Sequence, residues 1–276
     1  MNGALLFCIA RWAARLLFSL MAAIQAGPAQ AADEDCCQIV ELRQYINYPG
    51  KRDTLIDLFE ANFIESQEAL GIRVLGTFRD QNDPNHFTWL RGFSSMDARK
   101  QALAAFYLES LAWKAHRNEA NATLYDNDDV LLLHPAAPGS GIMLGSAQRA
   151  PVGASGRQGG LVVATIYYFA QQVPDEFSAH FTRELMPVFE RNGAKVLGRF
   201  ISEKSRNTFE RLPVRENVNV FVWLASYPSH AAYAQYQARL GQDTIWRDTL
   251  FAQLYKGLQR QPETLMLEPT ARSLLR

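Results

Sequence analysis

The 276-residue chain is poor in cysteine, with three residues, and carries no excess of either charge: 28 basic side chains face 28 acidic ones. Balanced charge removes the electrostatic reason to expect nucleic acid or an anionic membrane surface as a partner. Cys8 stands alone, while Cys36 and Cys37 are neighbours, so no cysteine cluster has metal-ligand spacing. Adjacent cysteines can close only a small strained ring. They are expected as two surface thiols, with a redox pair or an intermolecular disulfide as the alternatives. The five histidines form no H-x-x-x-H or H-E-x-x-H pair, so no metal site is expected. No cofactor is expected either; haem is a distant alternative, for which His116 would be the first ligand to test. A P-loop, a G-x-G-x-x-G after a strand, a G-x-S-x-G elbow and a paired-carboxylate motif are also missing.

Acid is absent from the first 31 residues, where Arg11 and Arg15 precede an apolar run from Leu16 to Ile24. Ala29 and Ala31 then occupy the −3 and −1 places of an A-x-A cleavage site. This pattern is that of a signal peptide over residues 1–31, which implies a secreted or periplasmic protein. A mitochondrial presequence is the alternative. The run is too short to span a bilayer, so no stable membrane insertion is expected after cleavage.

What the chain does have is a repeat. "GIRVLGTF" begins at Gly71 and "GAKVLGRF" at Gly193. "FTWLRGFSS" matches "FVWLASYPS", Trp113 matches Trp246, and "VLLLHP" matches "TLMLEP", all in one order. The offset is 122 in the first matches and 133 to 134 afterwards, so one insertion lies within "SEKSRNTFERLPVRENVN". The chain is a duplication. Each unit alternates in period: a strand at "QIVELRQY", a helical stretch over 51–70, strands "RVLGTFRD" and "HFTWLRGF" around the turn "QNDPN", helix over 95–124, and a closing strand at "DVLLLH". The order β-α-β-β-α-β is ferredoxin-like, a four-stranded antiparallel sheet with helices on one face. The expected fold is α+β: two tandem units, residues 38–136 and 161–270, press their open faces together into an intrachain barrel. Residues 137–160, rich in Gly, Ala, Ser and Pro, are expected as a flexible linker.

The halves differ where chemistry would sit. Glu41 and Arg43 correspond to Val163 and Thr165, and Arg91 corresponds to Ala225. Trp113, His116, Arg117, Ala120 and Asn121 share one helix face, where the second half has Trp246, Thr249, Leu250, Gln253 and Leu254. One reading makes His116 and Arg117 members of a surface salt-bridge network with Glu119, Asp126 or Asp128. The other makes the first half a pocket: Arg43 and Arg91 clamp an acidic or carbonyl-bearing ligand, helped by Tyr45, Arg117 and Asn121. Trp89 and Trp113 form its walls, and His116 shuttles protons.

The blocks "VELRQYINYPGKRDTLIDLFE", "RVLGTFRDQNDPNHFTWLRGF", "AFYLESLAWKAHRNEANATL" and "VLLL" resemble the NIPSNAP family over residues 38–136. The second half looks like a diverged copy. The resemblance implies the dimeric α+β barrel fold of small monooxygenases, haem-degrading enzymes and related binders, with a pocket between sheet and helices. It implies no particular reaction. Three functions stay open: a small-ligand binder, a cofactor-independent monooxygenase, isomerase or lyase, and a stress or scaffold protein binding partners on its outer surface. A homo-oligomer is compatible with each.

Overall fold

The computed structural model describes residues 36–276; the expected signal peptide, residues 1–31, and Cys8 lie outside the described residues. The first half runs β1 (Ile39–Asn47), α1 (Arg52–Asn62), α2 (Ile64–Glu68), β2 (Arg73–Asp80) and β3 (His86–Phe93). It continues with α3 (Met96–Ala104), a π-helical turn (Ala105–Glu109), α4 (Leu111–Asn121) and β4 (Leu124–Pro135). The second half repeats this as β5 (Leu161–Tyr168), α5 (Asp175–His180), α6 (Met186–Arg191), β6 (Lys195–Ser202), β7 (Val220–Tyr227), α7 (His230–Gln242), α8 (Phe251–Lys256) and β8 (Glu263–Pro269). Matching punctuation produces the match. Ser95 and Ser229 cap α3 and α7, each accepting a backbone N–H at 3.1 Å. Gly71 and Gly193 both leave their helices with positive φ, 83° and 112°.

All eight strands close one antiparallel barrel in the order β1-β3-β2-β8-β5-β7-β6-β4. Each half contributes a four-stranded ferredoxin-like sheet, and the halves join edge to edge at β2–β8 and β4–β6. The two seams are short, three residue pairs each: Phe78–Asp80 on Leu267–Pro269, and Leu133–Pro135 on Phe200–Ser202. The two tandem units therefore form an intrachain α+β barrel. Val40, Leu42, Leu90, Leu131, Val162, Val222 and Leu267 turn inward and fill it with one apolar cluster. The alternate residues of the same strands face the helices, where each half has its own second cluster.

The repeated "VLG-x-F" has a packing cause. A Cβ on Gly76 would fall 2.5 Å from the Phe78 ring, and one on Gly198 2.8 Å from the Phe200 ring. Each glycine sits at a register shift in its strand, and each phenylalanine is fully buried inside the barrel. The missing side chain lets the aromatic fold back over its own strand.

Residues 137–160 form no helix or strand, yet they are tied down. Ile142 inserts into the barrel cluster, and the Arg149 guanidinium donates to the Val74 and Arg272 carbonyls and to Glu68. Beyond β8, Thr270 and the Arg272 backbone N–H both donate to Glu60 on α1, so the chain's end bolts the second half to the first. The cysteine expectation is corrected. Cys36 and Cys37 are bonded to each other, and Cys37 is buried at the start of β1 where Gly92 leaves room for its sulfur. Among the described residues no helix is long and apolar enough to cross a membrane.

Gly76→Val and Gly198→Val should each lower unfolding stability by about 1–3 kcal/mol through overpacking against Phe78 and Phe200. Urea denaturation reads this as a lower midpoint at unchanged slope.

Candidate functional site

On β1 the residues that turn from the barrel toward the helices are Glu41, Arg43 and Tyr45. The register places Glu41 opposite Arg91 and Arg43 opposite Trp89 on β3. Glu41, Arg43, Arg91 and Arg99 of α3 are all 0% exposed. The Glu41 carboxylate takes three charge-assisted bonds: from Arg43 Nη1 at 2.6 Å, Arg91 Nε at 2.7 Å and Arg99 Nε at 2.6 Å. Burial alone would raise this carboxyl, but Arg91, Arg43 and Arg99 hold it well below the usual carboxylate range. Three guanidiniums on one carboxylate leave surplus positive charge away from solvent. The Nη2 atoms of all three arginines are buried and lack a hydrogen-bond partner.

This cluster backs a cavity of about 360 Å³ between the sheet and the helices of the first half. Phe59, Phe63, Trp89, Phe106 and Trp113 supply aromatic walls, while Tyr45, Gln67, Tyr107, Arg117, Asn121 and Asn127 supply polar groups. No carboxylate is in the lining. Arg43 Nε donates to the Tyr45 hydroxyl at 2.9 Å, and Arg91 Nη1 donates to Gln67 at 3.2 Å and to the Tyr107 hydroxyl at 3.3 Å. The guanidiniums of Arg43 and Arg91 also lie 5.6 and 5.1 Å from the Trp89 ring centre.

Of the residues singled out in the sequence, Tyr45, Trp89, Trp113, Arg117 and Asn121 line the cavity. Arg43 and Arg91 lie behind the lining and reach it through Tyr45, Gln67 and Tyr107. The His116 ring sits beside Phe63, centroids 6.3 Å apart, outside the lining. Neither His116 nor Arg117 has an ion-pair partner among the described residues.

Two contributions escaped the sequence reading. Arg99 precedes Ala102, Leu103 and Phe106 at spacings of three, four and seven, all buried, so its place on the buried face was readable. The other is the insertion of the second half, the 203–219 connection between β6 and β7. It crosses to the first half: Phe209, Arg211 and Leu212 complete the cavity wall, and Asn207 and Thr208 accept from Arg99 Nη1 at 3.0 and 3.2 Å. Arg215 fastens it to Asp129 at 3.1 Å.

The second half closes the equivalent layer on itself. Trp223, the counterpart of Trp89, donates to the Tyr167 hydroxyl at 3.2 Å and stacks on Phe189 at 4.8 Å. In the first half Gln67 replaces Phe189 and Arg43 occupies the Tyr45 hydroxyl. The Trp89 indole N–H is thereby left buried without an acceptor. Satisfied in one copy and unsatisfied in the other, this pair distinguishes the two halves.

Glu41→Gln should cost about 3–5 kcal/mol, because it strands the buried guanidiniums. Glu41 is depressed in the folded state, so its contribution is complete above the unfolded carboxyl value, about pH 4.3, and declines as pH falls below it. Urea midpoints of wild type and variant should differ most near neutral pH and converge in acid.

The NIPSNAP family model matches residues 40–138. No curated protein matches the chain. Among solved structures the chain is similar to a candidate monooxygenase of Fusobacterium nucleatum subsp. nucleatum, at 11% identity over 84% of this chain and 92% of the other, TM-score 0.51. It is also similar to a candidate monooxygenase of Lactobacillus acidophilus, at 14% identity over 85% and 97%, TM-score 0.50. An anthrone oxidase-like protein aligns at 12% identity over 86% and 94%, TM-score 0.52. At such identities the likeness is one of fold, the α+β barrel. Family model, strand order and repeat agree: residues 40–138 match the NIPSNAP family model and fold as one half of an α+β barrel.

Proposed function

We propose that the first half binds a small organic ligand bearing an acidic or carbonyl oxygen, in the cavity between its sheet and helices. The observation that carries this reading is an imbalance of donors over acceptors. Among the described residues Tyr45 and Tyr107 each have the hydroxyl oxygen taken by an arginine, the Trp89 N–H has no acceptor, and the exposed Arg117 and Arg211 of the lining lack ion-pair partners. No carboxylate in the lining offsets them. A ligand that brings oxygen acceptors would satisfy what the protein leaves unpaired. The aromatic walls suit a flat apolar body, and about 360 Å³ falls within the size range of small-molecule sites.

A second reading adds chemistry: cofactor-independent oxygenation, isomerisation or lysis of the bound ligand. It is favoured by the names of the fold neighbours, two candidate monooxygenases and an anthrone oxidase-like protein. Hydroxyl donors backed by guanidiniums would steady negative charge developing on a substrate oxygen. His116, outside the lining, has no contact with the ligand in this reading. The basic start, apolar run and A-x-A pattern of the first 31 residues support action outside the cytoplasm after export.

Trp89 and Trp113 report on the site by fluorescence. Titration with 1-naphthoate should change their emission saturably. The double variant Arg117→Ala, Arg211→Ala should bind about tenfold more weakly, as expected for loss of hydrogen bonds to charged groups. Unchanged affinity in the double variant would sink this reading.

A further inference from the structure

The donors of the cavity are arranged for a particular kind of oxygen. An arginine fork presented directly to a ligand is the usual device for a carboxylate. Here the buried forks are turned instead to Glu41, and the cavity is lined from the sheet and the π-helical turn by Tyr45 and Tyr107, each a single O–H donor. We propose that Tyr45 and Tyr107 form an oxyanion clamp that takes a phenolic or enolisable aromatic ligand as its anion. This rests on the binding reading above and narrows its substrate class to weak oxygen acids.

Three features support the clamp. First, each tyrosine oxygen accepts from a cation, Arg43 Nε at 2.9 Å for Tyr45 and Arg91 Nη1 at 3.3 Å for Tyr107. The hydroxyl proton is therefore polarised and free to be donated onward. Second, burial opposes ionisation of Tyr45 itself, so it keeps that proton and donates it. Third, the charged groups around the clamp sum to a positive field. Glu41 and Arg43 come from β1, Arg91 from β3, Arg99 from α3, Arg117 from α4 and Arg211 from the 203–219 connection. Glu41 is the single acid among them, and it is committed to three arginines. An anion lowers the energy of that arrangement, whereas a neutral phenol leaves it unchanged. The ligand's proton leaves to solvent on binding. The second half lacks the device: Thr165, Ala225 and Tyr233 stand where Arg43, Arg91 and Arg99 stand, and the Tyr167 hydroxyl accepts from Trp223 instead.

The probe is 4-nitrophenol, whose absorbance separates phenol from phenolate, with its methyl ether 4-nitroanisole as the analogue that cannot ionise. Both are titrated into the full-length protein at a pH where free 4-nitrophenol is mostly protonated. Bound 4-nitrophenol should show the phenolate band, with the anion held about tenfold or more tighter than the phenol. Tyr45→Phe and Tyr107→Phe keep the rings and should each cut that preference of anion over phenol several-fold. If 4-nitroanisole binds while bound 4-nitrophenol titrates as it does in water, the clamp is wrong and the cavity reading stands. An ionised bound probe whose preference survives both substitutions likewise overturns the clamp. If neither compound binds, the cavity reading fails and the clamp fails with it.

Discussion

The first half is organised around the pairing of three buried guanidiniums with the one Glu41 carboxylate. Glu41 is reached from β1, β3 and α3 at once, so it ties the sheet to the helix above it and sets where each arginine can point. A buried ion cluster is a poor source of net stability compared with well-packed apolar side chains. The second half shows that alternative in the same fold, with Val163, Thr165 and Ala225 at the matching strand positions. The retained charge has to be understood through what it does to the neighbouring cavity. It gives the Tyr45 and Tyr107 hydroxyl oxygens an arginine donor each, and it leaves more buried positive charge than negative beside the cavity.

The cavity is outside the barrel proper. The interior formed by the two sheets is filled by side chains such as Leu42, Phe78, Val162 and Phe200. The ligand-sized space lies one layer out, under α1, α4 and the π-helical turn that carries Phe106 and Tyr107. The insertion from the other half then seals one side. The cavity therefore depends on both units, though every strand beneath it belongs to the first.

Most of the architecture could be read from the residues. Repeated blocks in one order announced the duplication, and the switch between two-residue and helical periods laid out each ferredoxin-like unit. The alternation along "VELRQY" also separated barrel-facing Val40 and Leu42 from Glu41, Arg43 and Tyr45. What could not be read was contact across the two units. An insertion shows in a sequence as a change of offset, with no sign of which surface it will cover; Phe209 and Leu212 looked like any loop apolar residues. The cysteine pair eluded the reading for a related reason. Its surroundings depend on Gly92, more than fifty positions away and beside it only once β1 and β3 pair.

The covalent joining of the two sheets has one more consequence. In an assembly of identical subunits every substitution occurs in both copies, and any polar device that weakens packing weakens it twice over. Here the copies are separate stretches of one chain and can drift apart. One holds an ordinary aromatic layer, Trp223 stacked on Phe189, while the other holds buried charge beside a cavity. The broken symmetry lets one chain combine a charged, hollow layer and a closed, packed one within the same ring of strands.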